Sequence, residues 1–286
     1  ETCKPDEKNS SCTRGLFPIN LETHDTTASI TLRFRHFPHL LSYSFNKAEL
    51  LGHYSPSSYK VLVNGKPVDI KERSTISGIH FNQFYDSLHV ELKKINPNDS
   101  TVFSLHGINL ENTHQPIHYH SVGVNGAKIK SYLASQYFAE QLEHLNPDWV
   151  ILSLGTNEAY SQNFEEEQFE SNLENFIHLI RENTSECWIS LTTPGDALWE
   201  SQYPNENNSK ARQIIINTAK KMNCSYWDFY EVMGNRNSIT EWYDKGLAAE
   251  DKLHLTPDGY RLKGNLFFEA FIKAFNKHLG KPLQNQ

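Results

Sequence analysis

The sequence predicts an α/β protein: a parallel sheet with helices on both faces, joined to a separate antiparallel β module. Three observations lead there. Apolar and polar residues alternate with period two from about Ala28 to Leu110, and after residue 115 the period lengthens to that of helices. The segment Trp149-Val150-Ile151-Leu152-Ser153-Leu154 is apolar almost throughout, as a strand covered on both faces must be. At 286 residues the chain can hold one large domain, or a core with an inserted module.

Residues 1–24 show no strong periodicity. Four segments then read as strands: Ser29 to Phe34, Tyr59 to Val63, Ser87 to Leu92 and Thr101 to Leu105. Asn64-Gly65-Lys66-Pro67 and Asn96-Pro97-Asn98-Asp99 supply turn chemistry between them, and the whole suggests a jelly-roll-like β-sandwich over residues 25–110. Residues 111–286 form the α/β part. Ile117 to Val122 reads as its strand of entry, followed by a helix with Leu133, Tyr137, Phe138, Leu142 and Leu145 on one face. After the apolar strand comes a helix carrying Phe169, Leu173, Phe176, Ile177 and Ile180. Strand 187–193, a helix near 209–222 (Ala211, Ile214, Ile215, Met222) and strand 224–229 follow. Thr256 as N-cap and Pro257 at the first position open a last helix expected to bury Leu266, Phe267, Ala270, Phe271 and Phe275. Alternating strands and helices imply a parallel sheet.

Composition narrows the function classes. Hydrophobic residues at 38% and charged residues at 21% are those of a globular protein. A formal charge of -7 without a basic tract argues against nucleic acid as a partner. No apolar run reaches the length of a transmembrane segment. The chain opens on Glu1 without a visible leader, so a processed or truncated product is expected. Cys187 and Cys224 each begin a predicted strand. If those strands are parallel neighbours, roughly 4.8 Å apart, the sulfurs could bridge, which would favour an exported protein. Two small buried thiols are the equal alternative.

Chemistry-bearing residues cluster at the carboxyl ends of predicted strands, where open α/β sheets place ligands. Asn157 follows the apolar strand, and its amide could donate to a developing oxyanion; for a Gly-x-Asn taken alone, capping a helix or forming a turn is the favoured role. Gly126 follows strand 117–122 and could bring a backbone N–H close to a substrate oxygen, or serve as an ordinary turn glycine. Asp251 and His254, three apart ahead of the last helix, could pair so that one ring nitrogen is held by the carboxylate and the other acts as general base. With 14 histidines an isolated Asp-x-x-His means little, but the three motifs in this order point to a hydrolase-type site.

On Val124-Asn125-Gly126-Ala127, Leu154-Gly155-Thr156-Asn157-Glu158 and Asp251-Lys252-Leu253-His254, the chain resembles the SGNH (GDSL-like) hydrolase family over about residues 107–279. Gly126 matches the family's second-block glycine, Asn157 the third-block asparagine, and Asp251 and His254 the fifth-block acid and base. Among its members the chain is most similar to bacterial carbohydrate and peptidoglycan O-acetyl esterases with an inserted β-rich module. Gly107 to Asn112, leading into Tyr119 to Gly126, resembles their return into the catalytic domain, and Arg14-Gly15-Leu16 the segment that leaves it. The resemblance implies a flavodoxin-like three-layer sheet, with residues 1–24 a remnant of the catalytic part. It implies hydrolysis of acyl esters, most plausibly O-acetyl groups on carbohydrate or peptidoglycan, without metal or organic cofactor, in a secreted or cell-envelope protein. A non-catalytic carbohydrate-binding protein and an O-acetyltransferase are the alternatives.

The departure is the first block: no Gly-Asp-Ser precedes these motifs. Ser10 and Ser11 are the only early serines and follow a polar stretch, so the nucleophile is expected upstream of Glu1. In the strand order 2-1-3-4-5, the lost strand would lie between those ending at Val122 and Leu154, leaving both without ladder partners and the isolated chain poorly folded. His114, His118 and His120 suggest a metal, but without a nearby cysteine or carboxylate cluster a solvated or packed role is favoured. Trp199 and Tyr203 could stack on a sugar or simply pack their loop. Glu165-Glu166-Glu167 suits a helix N-terminus.

Overall fold

A computed structural model describes residues 2–3, 20–34, 43–68 and 76–280. It consists of two compact units, Glu1–Asn146 with Glu182–Thr184, and Pro147–Arg181 with Ser185–Gln286. Ser10, Ser11, Cys12 and Arg14 to Leu16 lie outside the described residues.

The first unit carries β1 (Thr2–Cys3), β2 (Asn20–Thr23), β3 (Thr27–Arg33), β4 (Phe45–His53), β5 (Tyr59–Val63), β6 (Lys66–Pro67), β7 (Ile76–Tyr85), β8 (Ser87–Lys94) and β9 (Phe103–Glu111). They form two antiparallel sheets, ordered β1-β2-β9-β4-β7 and β3-β8-β5-β6. Alternation places Tyr59, Val61 and Val63 of β5 and Leu88, Val90 and Leu92 of β8 in one core with Phe45, Leu50, Phe81, Phe103 and Leu105 of the other sheet. Asn64 and Gly65, at φ 49° and 75°, make the two-residue turn from β5 to β6. Positive φ at both positions is the reason for an Asn-Gly there.

Strand β4 escaped the sequence reading because it does not alternate: five consecutive residues, Ala48 to Gly52, are buried. Its register slips between Leu51 and Gly52, where a Cβ would collide with the Ser104 carbonyl oxygen, so only glycine fits. Two helices follow β9: α1 (Ile129–Leu133) and α2 (Phe138–Leu145). The single helix expected here is split, with Ser135 Oγ donating to the Ser131 carbonyl at the break. Ile129, Tyr132, Phe138 and Leu142 are the apolar residues that bury.

Residues 117–122, expected as a strand, are not one. No strand among the described residues pairs with this segment, and Ile117 and Tyr119 stand 81% and 84% exposed. An unpaired segment gains nothing from a β conformation, whatever its alternation.

The second unit runs β10 (Trp149–Leu152), α3 (Thr156–Ala159), α4 (Glu166–Glu182), β11 (Trp188–Thr192), β12 (Leu198–Trp199), β13 (Tyr203–Pro204), α5 (Glu206–Lys221), β14 (Ser225–Trp227), α6 (Phe229–Met233), α7 (Ser238–Asp244) and α8 (Pro257–His278). Strands β10, β11 and β14 pair in parallel, in that order. Helix α4 buries all five residues of its predicted stripe, and α5 buries Ala211, Ile215, Ile216 and Ala219.

One expectation changes here, and one open pair of alternatives is decided. Helix α8 starts as predicted, with Thr256 Oγ1 accepting from Gly259 N at 3.2 Å, yet its apolar face is not buried. Leu266, Phe267, Ala270 and Phe271 are half-buried, and Phe268 and Phe275 are 61% and 48% exposed. Strand β10 forms one edge of the sheet, with Trp149, Val150 and Ile151 only half-buried, and Trp149 stacks on Phe271 at 4.8 Å. Edge and helix face form one apolar strip that no further layer covers among the described residues. Second, no disulfide joins Cys187 and Cys224. The register sets Ser225 opposite Ser190, so Cys224 lies level with Ile189, two residues beyond Cys187. Among the described residues no helix is long and apolar enough to cross a membrane.

Candidate active site

His254 sits in a tight loop closed by an antiparallel bridge between Ala248 and Leu255, with Ala249 N donating to the His254 carbonyl at 2.8 Å. Lys252, at φ 47°, turns the chain back so that Asp251 faces residues ahead of it. Asp251 Oδ1 accepts from Leu253 N at 3.0 Å and His254 N at 2.9 Å, while Oδ2 lies 2.7 Å from His254 Nδ1. Partial burial pushes the Asp251 carboxyl up, but the His254 ring and the two backbone N–H donors outweigh it, so the group stays below the usual carboxylate range. Because a carboxylate only accepts, Nδ1 carries the proton and Nε2 is left as the basic nitrogen. The His254 side chain is 66% exposed, open to a substrate.

Asn157 lies in the single turn of α3, just past the carboxyl end of β10. Gly155 makes the corner at φ 110°, wedged so that a Cβ would meet Ile215 and Phe169 at 3.3 Å. Its N–H donates to Glu158 Oε2 at 3.1 Å. The helix is pinned from outside: the Ala159 carbonyl accepts from Asn205 Nδ2 and Asn207 Nδ2, both at 3.2 Å.

Residues 197–205 join these two parts. Leu198 N donates to the Lys252 carbonyl at 2.9 Å, next to Asp251, and Asn205 N donates to the Ala197 carbonyl at 3.1 Å before its side chain reaches Ala159. Trp199 packs against Tyr160 at 4.6 Å between ring centres, and Tyr160 Oη accepts from Glu200 N at 3.3 Å. A continuous chain of hydrogen bonds thus runs from the Asp251–His254 loop through this hairpin to the Asn157 helix. Tyr203, paired across the hairpin with Trp199, is 60% exposed. Asn205 and Tyr160 went unremarked in the sequence. Asn205 had a signal, since it precedes a helix and caps it by accepting from Asn207 N at 3.1 Å. Tyr160 had none.

Gly126 belongs to the first unit. It occupies the third position of a turn closed by Ala127 N and the Val124 carbonyl at 3.1 Å, and its φ of 76° demands glycine. The space where a Cβ would stand is open.

An imidazole held by a carboxylate at one nitrogen and open at the other is an arrangement able to serve as a general base in acyl transfer. The chain belongs to the GDSL-like lipase/acylhydrolase family, whose model matches residues 105–262, and is a hydrolase acting on ester bonds. Its fold is shared with a solved structure described as "Peptidoglycan O-acetylesterase in action, 5 min": TM-score 0.73 at 19% identity, covering 97% of this chain and 76% of that one. Two further solved structures match part of the chain. A lipase/acylhydrolase from Enterococcus faecalis is 24% identical, covering 56% of this chain and 75% of its own, at TM-score 0.39. The acetyl xylan esterase AlAXEase is 20% identical, covering 52% and 78%, at TM-score 0.41. No curated protein matches the chain by sequence.

Proposed function

We propose that the protein is a serine esterase that removes O-acetyl groups from a carbohydrate or from peptidoglycan, and that its nucleophilic serine lies upstream of Glu1. The observation that carries this reading is the Asp251–His254 pair with Nε2 left basic. In the reaction, Nε2 takes the proton of the serine hydroxyl as its oxygen attacks the acetyl carbonyl. The Asn157 amide and the Gly126 N–H donate to the resulting oxyanion. For Gly126 the assignment rests on its sequence block and its open turn. Collapse expels the sugar oxygen, which takes the proton back from His254, and water then releases acetate by the same steps reversed.

Among the described residues the outer edge of β10 has no strand partner and the apolar face of α8 is only half-covered, which supports an upstream nucleophile block, since a further strand and its helix would pair the one and cover the other. Exposed Tyr203 beside Trp199 offers an aromatic surface of the kind sugars stack on. The test compares hydrolysis of a chromogenic acetyl ester by this chain and by one extended upstream. Activity in the extended form, abolished by His254→Ala, is expected. Inactivity of both, with glycan binding retained, overturns the esterase reading in favour of a carbohydrate-binding role, and sugar-acceptor products without free acetate would mark a transferase.

A further inference from the structure

We propose that Glu111, His118 and His120 of the first unit form a site for a divalent transition-metal cation of the zinc type. One carboxylate oxygen and one nitrogen from each ring all lie within 4.8 Å of one another. Tetrahedral zinc with bonds of about 2.0–2.1 Å needs ligand atoms roughly 3.3 Å apart, so the three must close by about an ångström or more. Both imidazoles ride on a segment that belongs to no helix or strand, which allows it. The sequence alone suggested no carboxylate partner, because Glu111 stands seven residues before His118, at the end of β9.

The second nitrogen of His118 is already anchored as in metal sites. Its Nε2 lies 3.2 Å from the Asn112 carbonyl, which only accepts, so the proton is on Nε2 and the Nδ1 lone pair remains for a cation. That Nδ1 is 4.0 Å from Glu111 Oε2. The His120 ring stands perpendicular to the His118 ring, at 89°. His120 and Asn109 also line a cavity of about 320 Å³ that gives a cation its approach.

Charge points the same way. Lys47 Nζ bridges Glu49 Oε1 and Glu111 Oε2, both at 2.9 Å, and Asn109 Nδ2 donates to both carboxylates. His144 Nε2 also lies 3.1 Å from Glu49 Oε1. Two carboxylates therefore face one ammonium, an excess of negative charge in a half-buried place. An arriving cation takes Glu111 Oε2, while Lys47 keeps Glu49. Two imidazoles and a carboxylate select zinc and its first-row neighbours over magnesium or calcium.

Cobalt(II) titration of the chelator-treated protein at neutral pH tests this, with circular dichroism as the check on folding. One equivalent should bind with the visible bands of four-coordinate cobalt, and zinc should displace it. His118→Ala and His120→Ala should each weaken binding by more than about a hundredfold, beyond the loss of an outer partner, whereas His254→Ala should leave it intact. If His120→Ala fails to fold, Glu111→Gln, which keeps the side-chain shape, carries the same expectation. Unchanged binding in the folded site variants, loss in His254→Ala, or no such bands in the intact protein overturns the proposal.

Discussion

His254 Nδ1 and Asp251 Oδ2 are 2.7 Å apart, and the same carboxylate accepts from the backbone N–H of His254. The acid therefore fixes both the ring and the peptide that carries it. In the esterase reading, Asp251→Asn keeps its oxygen on the two backbone N–H donors and turns its NH2, a donor, toward the ring nitrogen that must itself donate, which favours the wrong tautomer. A loss in kcat of about 10⁴ is expected, with KM little changed. Steady-state kinetics on the active form checks it, and a change confined to KM would contradict it.

Acid should loosen the first unit through His106. This histidine is 2% exposed, and burial, with a small contribution from His53, pushes its pKa down to about 4. The unfolded chain takes up the proton near pH 6.5, before the folded one does, so the stability is fully present above that value. It is lost progressively as pH falls toward 4, by about 3 kcal/mol at most. Urea titrations at pH 7 and pH 4.5 should show the difference, and His106→Gln should flatten it.

Gly155 should tolerate no side chain. Its φ of 110° and the contacts a Cβ would make with Ile215 and Phe169 predict that Gly155→Ala loses about 1–3 kcal/mol. Thermal melts give the stability. In the esterase reading activity should fall further than the fraction unfolded explains, because the corner also aims Asn157.

Asn205→Ala removes the cap of α5 and a hydrogen bond to the Ala159 carbonyl in one step. A loss of about 1–3 kcal/mol follows. Hydrogen exchange should report it first at α3, whose Ala159 carbonyl loses one of its side-chain donors; protection unchanged at residues 156–160 would count against the bracing role.

What the sequence made legible, and what it hid, follows from which interactions are local. The stripe of α4 and the Thr256-Pro257 start of α8 are encoded within a few residues, and both stand as read. So does the Asp251–His254 pair, which needs only the turn at Lys252. Strand β4 was hidden because burial on both sides erases alternation. Residues 117–122 misled for the converse reason: their alternation is strand-like, but a strand exists only with a partner. The apolar face of α8 was read correctly as apolar and wrongly as buried, since composition records what a surface prefers and not what lies against it.

The seam along β10 and α8, uncovered among the described residues, has a practical consequence. Parallel-strand edges with free donors and acceptors recruit foreign strands, and a row of aromatic rings beside one adds a driving force that strengthens on modest warming. This polypeptide should clump as its concentration rises, and its solubility, more than its melting temperature, should be the quantity that limits handling.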